Sequence, residues 1–179
     1  MASFFKAIPT ILKHEGGWAD NKNDPGGATK YGISLRFLKE SKLDLDGDGD
    51  IDADDVRGLT TERATMLYYD WFWVPGRYEL VKDQLVATKL FDMGVNMGSR
   101  QGWRLAQKAC NKYGLNLVVD GLVGPQTMLA VNALEPGNYI KTLCETQKEF
   151  YDAIIVQNPK LEEFRKGWYY RAGWPVTHV

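Results

Sequence analysis

Apolar residues recur at helical spacing through most of this chain, and the places where the pattern stops are as informative as the runs. Phe4, Phe5, Ile8, Ile11 and Leu12 predict a helix over residues 4–14, in which Pro9 either kinks the axis or marks the true first turn. Residues 17–34 then fill with Asp, Asn, Gly and Pro, a composition that favours turns and short strands over helix. Ser34 offers an N-cap for a short helix through Leu35, Phe37 and Leu38 to about Ser41. Thr60 or Thr61 caps the next helix, over 61–73, with Ala64, Leu67, Tyr68, Trp71 and Phe72 on one broad face, and Pro75 and Gly76 end it. Further helices are predicted from Leu80 to Met97, from Arg100 to Tyr113 with Gly114 as C-cap, and from Pro125 to Gly137. A long helix runs from Asn138 to Val156, Asn158 and Pro159 break it, and a last short helix leads into FRKGWYYRAGW. The chain therefore reads as mainly α. It has no Ser/Gly linker and no low-complexity tract, which predicts one compact body with two lobes, residues 1–88 and 89–179.

The sharpest polar interruption is DLDGDGDIDADD, residues 44–55. It has the pattern of a calcium loop: Asp44, Asp46 and Asp48 at loop positions 1, 3 and 5, Gly49 at the sharp turn, Ile51 at position 8 and Asp55 at position 12. The carbonyl of Asp50 supplies position 7, and Asp52 acts at position 9, often through water. Alternating oxygens can wrap one hard cation, and without a cation so many neighbouring aspartates repel one another. The loop resembles EF-hand and dockerin loops. Position 12 is Asp, which dockerin-type loops accept, but there is no second copy, so a two-repeat dockerin module is not expected. The ligand set predicted is Asp44, Asp46, Asp48, Asp50 and Asp55, with calcium as a structural brace or as a regulator. The plainer alternative is a solvated acidic loop.

Net charge is −1, and the acidic loop hides the balance of the rest. Seven of the 23 acidic residues lie in that loop, leaving 16 acids against 22 bases, or +6. A surface basic outside one loop can be drawn to an anionic polymer such as the bacterial envelope. No basic stripe favours nucleic acid. Aromatic content is 12%, with six Trp and nine Tyr, which suits both a sugar-binding cleft and a small helical core. Cys110 and Cys144 form no CxxC or metal spacing; a buried reduced pair is expected, and a disulfide requires their helices to touch. Two histidines cannot supply the usual multi-histidine zinc site of an amidase or metallopeptidase. Lys6 and Lys13 interrupt the N-terminal apolar residues, so no signal peptide is read, and no stretch approaches the ~20 apolar residues of a membrane span. A chain made in the cytoplasm, without membrane insertion and monomeric, is expected.

The candidate chemistry lies in HEGGWADNKNDPGGATKYGIS, residues 14–34. Glu15 closes the first helix pattern, at the negative end of the helix dipole. Shielding by aromatic surface, from Trp18 or Tyr31, adds a second reason for its carboxyl to hold a proton near neutral pH. Such a group is what glycoside hydrolysis needs as general acid. The alternative is an ordinary helix-end residue followed by a glycine cap.

This segment resembles the signature of glycoside hydrolase family 108, lysozyme-like muramidases of phages and bacteria, through EGG, DPGG and TKYGI at close spacing. The resemblance implies that Glu15 is the catalytic acid, in a lysozyme-like two-lobed helical fold with a small β-hairpin by the cleft. It also implies cleavage of the β-1,4 bond between N-acetylmuramic acid and N-acetylglucosamine in peptidoglycan. Tailed-phage lysozymes of another family place a Glu at a helix end, an Asp nine residues on and a Thr six beyond. Here Asp24 stands at the same separation and Thr29 one residue early. Asp24, or else Asp20, would then orient the attacking water or stabilise oxocarbenium charge, Thr29 would hold the water, and Trp18 and Tyr31 would line a sugar subsite. FDMGVNMG, residues 91–98, resembles the start of the family's peptidoglycan-binding region. Support comes from the Asp120, Gly121, Gly124, Thr127 pattern and from Gly167, Trp168 and Arg171 in GW-xx-R. Asp92 and Asn96 share one helix face. They form either a buried hydrogen-bonded network or a cleft wall, and on the second reading Asn96 contacts substrate. The first lobe would be catalytic and the second would bind peptidoglycan. An endolysin needs no cofactor for catalysis and reaches the wall once the membrane is permeabilised. A lytic transglycosylase and a non-catalytic, calcium-braced wall-binding module are the alternatives.

Overall fold

The computed structural model describes residues 1–18 and 27–175. Helix α1 spans Phe4–Glu15, and a hairpin of β1 (Thr29–Lys30) and β2 (Ile33–Ser34) leads into α2 (Leu35–Ser41). Then come α3 (Ala53–Gly58) and α4 (Thr61–Tyr68), a π-helical turn at Tyr69–Trp73, a short α5 (Val74–Gly76) and a 3-10 turn at Tyr78–Leu80. The rest is α6 (Gln84–Met97), α7 (Ser99–Asn111), α8 (Pro125–Ala133), α9 (Pro136–Gln157), a 3-10 turn at Pro159–Phe164 and α10 (Arg165–Gly173). Among the described residues the fold is mainly α, as the periodicity predicts, with the small antiparallel hairpin that the family resemblance implies.

The chain divides into two compact units, Ile8–Trp71 and Met1–Ala7 with Phe72–Val179. This division lies upstream of the 88/89 boundary expected from sequence. The reason is aromatic packing: Trp73 is buried, 5.6 Å from Phe4 and 5.2 Å from Phe91 between ring centroids. Tyr78 stacks on Trp103 at 5.8 Å and completes this core. The pairs gain from their geometry as well as from apolar burial. Within the same unit α6, α7 and α9 pack on one another and α10 packs on α9. Cys110 and Cys144 are both buried free thiols there.

The unit Ile8–Trp71 packs Ile11, Ile33, Leu38, Val56, Ala64 and Leu67 inside. Its hairpin pairs Thr29 with Ser34 and Lys30 with Ile33, so Tyr31 and Gly32 form a two-residue turn. Both have positive φ, 51° and 75°, the conformation that fits the strand twist in so tight a hairpin. Ser34 then caps α2, its hydroxyl accepting from the Phe37 amide at 3.2 Å. Lys30 Nζ donates to the Arg57 carbonyl at 2.7 Å, a cation at the C-terminal end of α3.

Candidate active site and acidic loop

Helix α1 ends at Glu15, and Gly16, with φ 75°, turns the chain out of it. The half-buried Glu15 side chain lies directly over the hairpin turn. A Cβ built on Gly32 would stand 2.7 Å from Glu15 Oε2, 2.8 Å from Glu15 Cβ and 2.5 Å from the Tyr68 hydroxyl. Only a residue with no side chain allows that approach, so Gly32 answers two demands at once, positive φ and steric clearance. Tyr68, buried at the end of α4, donates from its hydroxyl to the Tyr31 carbonyl at 2.8 Å. The Tyr31 hydroxyl accepts from Thr61 Oγ1 at 3.1 Å, which ties the other end of the turn residue to the start of α4. A carboxyl, a hairpin turn and a tyrosine hydroxyl are thus held together by backbone geometry.

The other sequence candidates fall as follows. Asp20 and Asp24 lie outside the described residues. Thr29 is half-buried at the start of β1, and its hydroxyl donates to the Gly27 carbonyl at 3.3 Å. Trp18 is 40% exposed, with the Arg57 guanidinium 5.4 Å from its ring centre. Asn96 belongs to the other unit, on α6, where its Oδ1 accepts from the Tyr151 hydroxyl at 2.6 Å. Its helix neighbour Asp92 is fully buried and pairs with Arg171 at 2.8 Å. Sequence reading placed Tyr68 on a packing face and gave Gly32 no role. The usable signal was Tyr31-Gly32 between two short strands, which marks a tight turn whose neighbours must come close.

The acidic loop closes on itself through amides. Asp44 accepts from the amides of Gly47 at 2.6 Å and Gly49 at 3.0 Å. Asp55 is only 2% exposed; it accepts from Leu45 at 2.6 Å with one oxygen and from Asp52 at 2.8 Å with the other. Asp52 and Asp55 form a reciprocal capping box at the start of α3. Burial pushes the Asp55 carboxyl up, but the amides of Asp52, Leu45 and Asp46 outweigh it and hold the group below the usual range. At Asp46 the Asp48 amide pulls down, while partial desolvation and the charges of Asp48, Asp55 and Asp44 together carry the carboxyl above its ordinary value. Asp50 is raised by Asp48 first and then by Asp52. Carboxylate oxygens of Asp44, Asp46 and Asp48 lie within 4.8 Å of one another, and so do those of Asp50, Asp52 and Asp55. The donor set is all oxygen and fits a hard cation in chemistry.

Residues 8–98 match the model of the Glycosyl hydrolase 108 family, and residues 101–173 match that of the Predicted Peptidoglycan domain. Among solved structures, the chain is similar to Brucella abortus SagA, with 27% identity and a TM-score of 0.74 over 95% of this chain and 89% of that one. No curated protein matches. Among the described residues, no helix is long and apolar enough to cross a membrane.

Proposed function

Since the chain belongs to the glycosyl hydrolase 108 family, we propose that it is a lysozyme-like muramidase, cleaving the β-1,4 bond after N-acetylmuramic acid, with Glu15 as general acid. That it is a glycoside hydrolase acting on peptidoglycan follows from the two domain matches. The bond and the residues are our reading. The observation that carries it is the placement of the Glu15 carboxyl over the Gly32 turn, inside the segment that the family model matches. Glu15 protonates the leaving oxygen. Asp24, nine residues on in the same polar stretch, activates or orients the attacking water, and Thr29 holds that water. Trp18, which is exposed, and Tyr31, which is half-buried, pack on sugar rings.

Calcium braces the 44–55 loop in this reading. Asp44, Asp46, Asp48 and Asp55 bind through carboxylates, Asp50 through its carbonyl, and Asp52 through water. The metal relieves repulsion among seven aspartates and takes no part in bond cleavage. Its support is the donor chemistry of the two aspartate groups and the position-by-position fit of the sequence.

The deciding experiment is mass spectrometry of the products from purified peptidoglycan, wild type beside Glu15→Gln. Reducing N-acetylmuramic acid ends that vanish in the variant are expected. Anhydro ends would move the enzyme to the transglycosylases, and unchanged turnover by the variant would remove Glu15 from catalysis.

A further inference from the structure

An open groove of about 550 Å³ is cut into the unit formed by Met1–Ala7 and Phe72–Val179. Leu80, Met128 and Leu129 are among its apolar lining, and Arg77, Lys82 and Asn132 are polar members of it. The groove is braced. Asn132 Nδ2 donates to the Leu80 carbonyl at 3.0 Å, and its Oδ1 accepts from the Lys82 amide at 2.7 Å, which fastens one wall to α8. Arg77 Nη1 donates to the Val123 carbonyl at 3.0 Å. Just before it, the Gly76 carbonyl accepts from the buried Trp103 indole at 3.0 Å. Arg77 has φ 57°, the region where glycine is favoured, so an arginine stands there at a conformational cost.

The charge is one-sided. Among the described residues no carboxylate lines the groove, and neither Arg77 nor Lys82 takes part in an ion pair. Leu129 is 72% exposed at the groove, an apolar surface beside two cations. A ligand that complements this carries carboxylates on an aliphatic chain. In peptidoglycan the glycan strand is uncharged once its lactyl group is in amide linkage, and the carboxylates lie on the stem peptide, with alanine methyls between them. The segment Val123–Ala133, which supplies one wall, lies inside the match to the Predicted Peptidoglycan domain.

We propose that this groove binds the stem peptide of peptidoglycan, with its carboxylates on Arg77 and Lys82 and its alanine methyls on Leu80, Met128 and Leu129. The assignment rests on the reading of peptidoglycan as substrate. It adds that the glycan and the peptide are bound by different residues, the peptide by this groove.

The test uses the full chain carrying Glu15→Gln, titrated with purified stem tetrapeptide and followed by amide NMR and calorimetry. Shifts at Arg77, Lys82 and the 128–132 turn of α8 are expected. Amidating the peptide carboxylates is expected to weaken binding roughly tenfold, and so is Arg77→Gln with Lys82→Gln, as for a charge-guided contact. Leu129→Glu, at an exposed position that leaves the core untouched, is expected to do the same by placing a negative charge in the groove. Equal binding by both variants overturns the proposal. So does tighter or equal binding of peptide-free glycan or of glycerol phosphate at these residues. Absence of tetrapeptide binding, in a protein whose wild type still releases muramic acid ends, overturns the groove assignment and leaves the glycosidase reading standing.

Discussion

Replacing Gly32 by alanine tests whether the hairpin turn holds Glu15. The new Cβ would meet the Tyr68 hydroxyl at 2.5 Å and Glu15 at 2.7–2.8 Å, closer than real Cβ contacts come. Gly27 is the control. Its φ is 71° against 75° for Gly32, yet among the described residues a Cβ there would touch only Leu35, at an ordinary 3.5 Å. Gly27→Ala therefore pays the positive-φ penalty alone, ~1–2 kcal/mol. Gly32→Ala adds overpacking of ~1–3 kcal/mol. For a chain of this size each kcal/mol moves Tm by roughly 2–4 °C, so the gap between the two variants is what thermal melting should read. On the proposed reading of Glu15 as general acid, activity should separate them further, because a displacement of ~1 Å costs on the order of 100-fold in rate.

Tyr68→Phe sharpens the test. Alone it removes the bond to the Tyr31 carbonyl, worth ~1 kcal/mol. Combined with Gly32→Ala it also removes the nearest clashing atom, so the double variant should be less destabilised than the sum, with a coupling of ~0.5–3 kcal/mol. Strict additivity, with Gly27→Ala and Gly32→Ala equal in Tm and in turnover, would show that Gly32 serves its backbone angle only and that the turn does not position Glu15.

Three further predictions concern charge. Chelator should lower the melting temperature at pH 7, and the drop should shrink as pH falls toward 4. Asp46 and Asp50 have folded carboxyls above their unfolded value, so the stability they give is present at low pH and lost as pH rises; a melt indifferent to chelator at pH 7 would remove the cation. Asp55 has the opposite sign. Its folded carboxyl lies below the unfolded value, so its contribution is present above about pH 4 and lost as pH falls through the folded value. Asp55→Asn should therefore flatten the acid limb of a stability curve measured in chelator. In the other unit, Asp92→Ala strands Arg171 beside a fully buried site and should cost ~3–5 kcal/mol in denaturant unfolding. Restoring most of that with an apolar pair, Asp92→Leu and Arg171→Met, would confirm the cause, and a loss under 1 kcal/mol would refute it.

Local signals carried most of the fold. The N-cap at Ser34 and the helix opening at Pro125 could be read directly, because the capping group and its helix are neighbours in sequence. Boundaries moved where two signals compete. Asn138 reads as a helix start and Gly137 as an end, yet α9 begins at Pro136 because Glu135 accepts from the amides of both Gly137 and Asn138. The helix expected over 61–73 changes to π-helical winding at Tyr69, which periodicity does not distinguish from α. At the candidate site, Glu15 and the hairpin were legible because they are local. Tyr68 was not, since a tyrosine on an apolar stripe looks the same whether it fills a core or backs a carboxyl; only the contact 36 residues away, at Gly32, separates the two.

The aromatic excess divides into buried and exposed rings. In the unit containing α6 to α10, Trp73, Tyr78, Trp103 and Tyr139 are almost fully buried, and Tyr151 stacks on Trp168 at 4.9 Å. Those rings are structural. Other rings stay at the surface in both units: Trp18, Tyr69 and Trp71 are 40–45% exposed in Ile8–Trp71, and Phe5, Tyr113, Phe164 and Tyr170 are 41–78% exposed in the other. Scattered exposed rings are ordinary on a protein surface, and a ligand can cover one face of them. A pyranose does so, since its axial C–H face packs on a ring while its hydroxyls stay in water. Trp71 makes a T-shaped pair with Phe37 at 5.5 Å, and the Arg57 guanidinium lies over the Trp18 ring, so each ring has a fixed neighbour. On the proposed reading, Trp18 of the unit that holds Glu15 offers a ring face to glycan, and Arg77 and Lys82 of the other unit offer cations to peptide carboxylates.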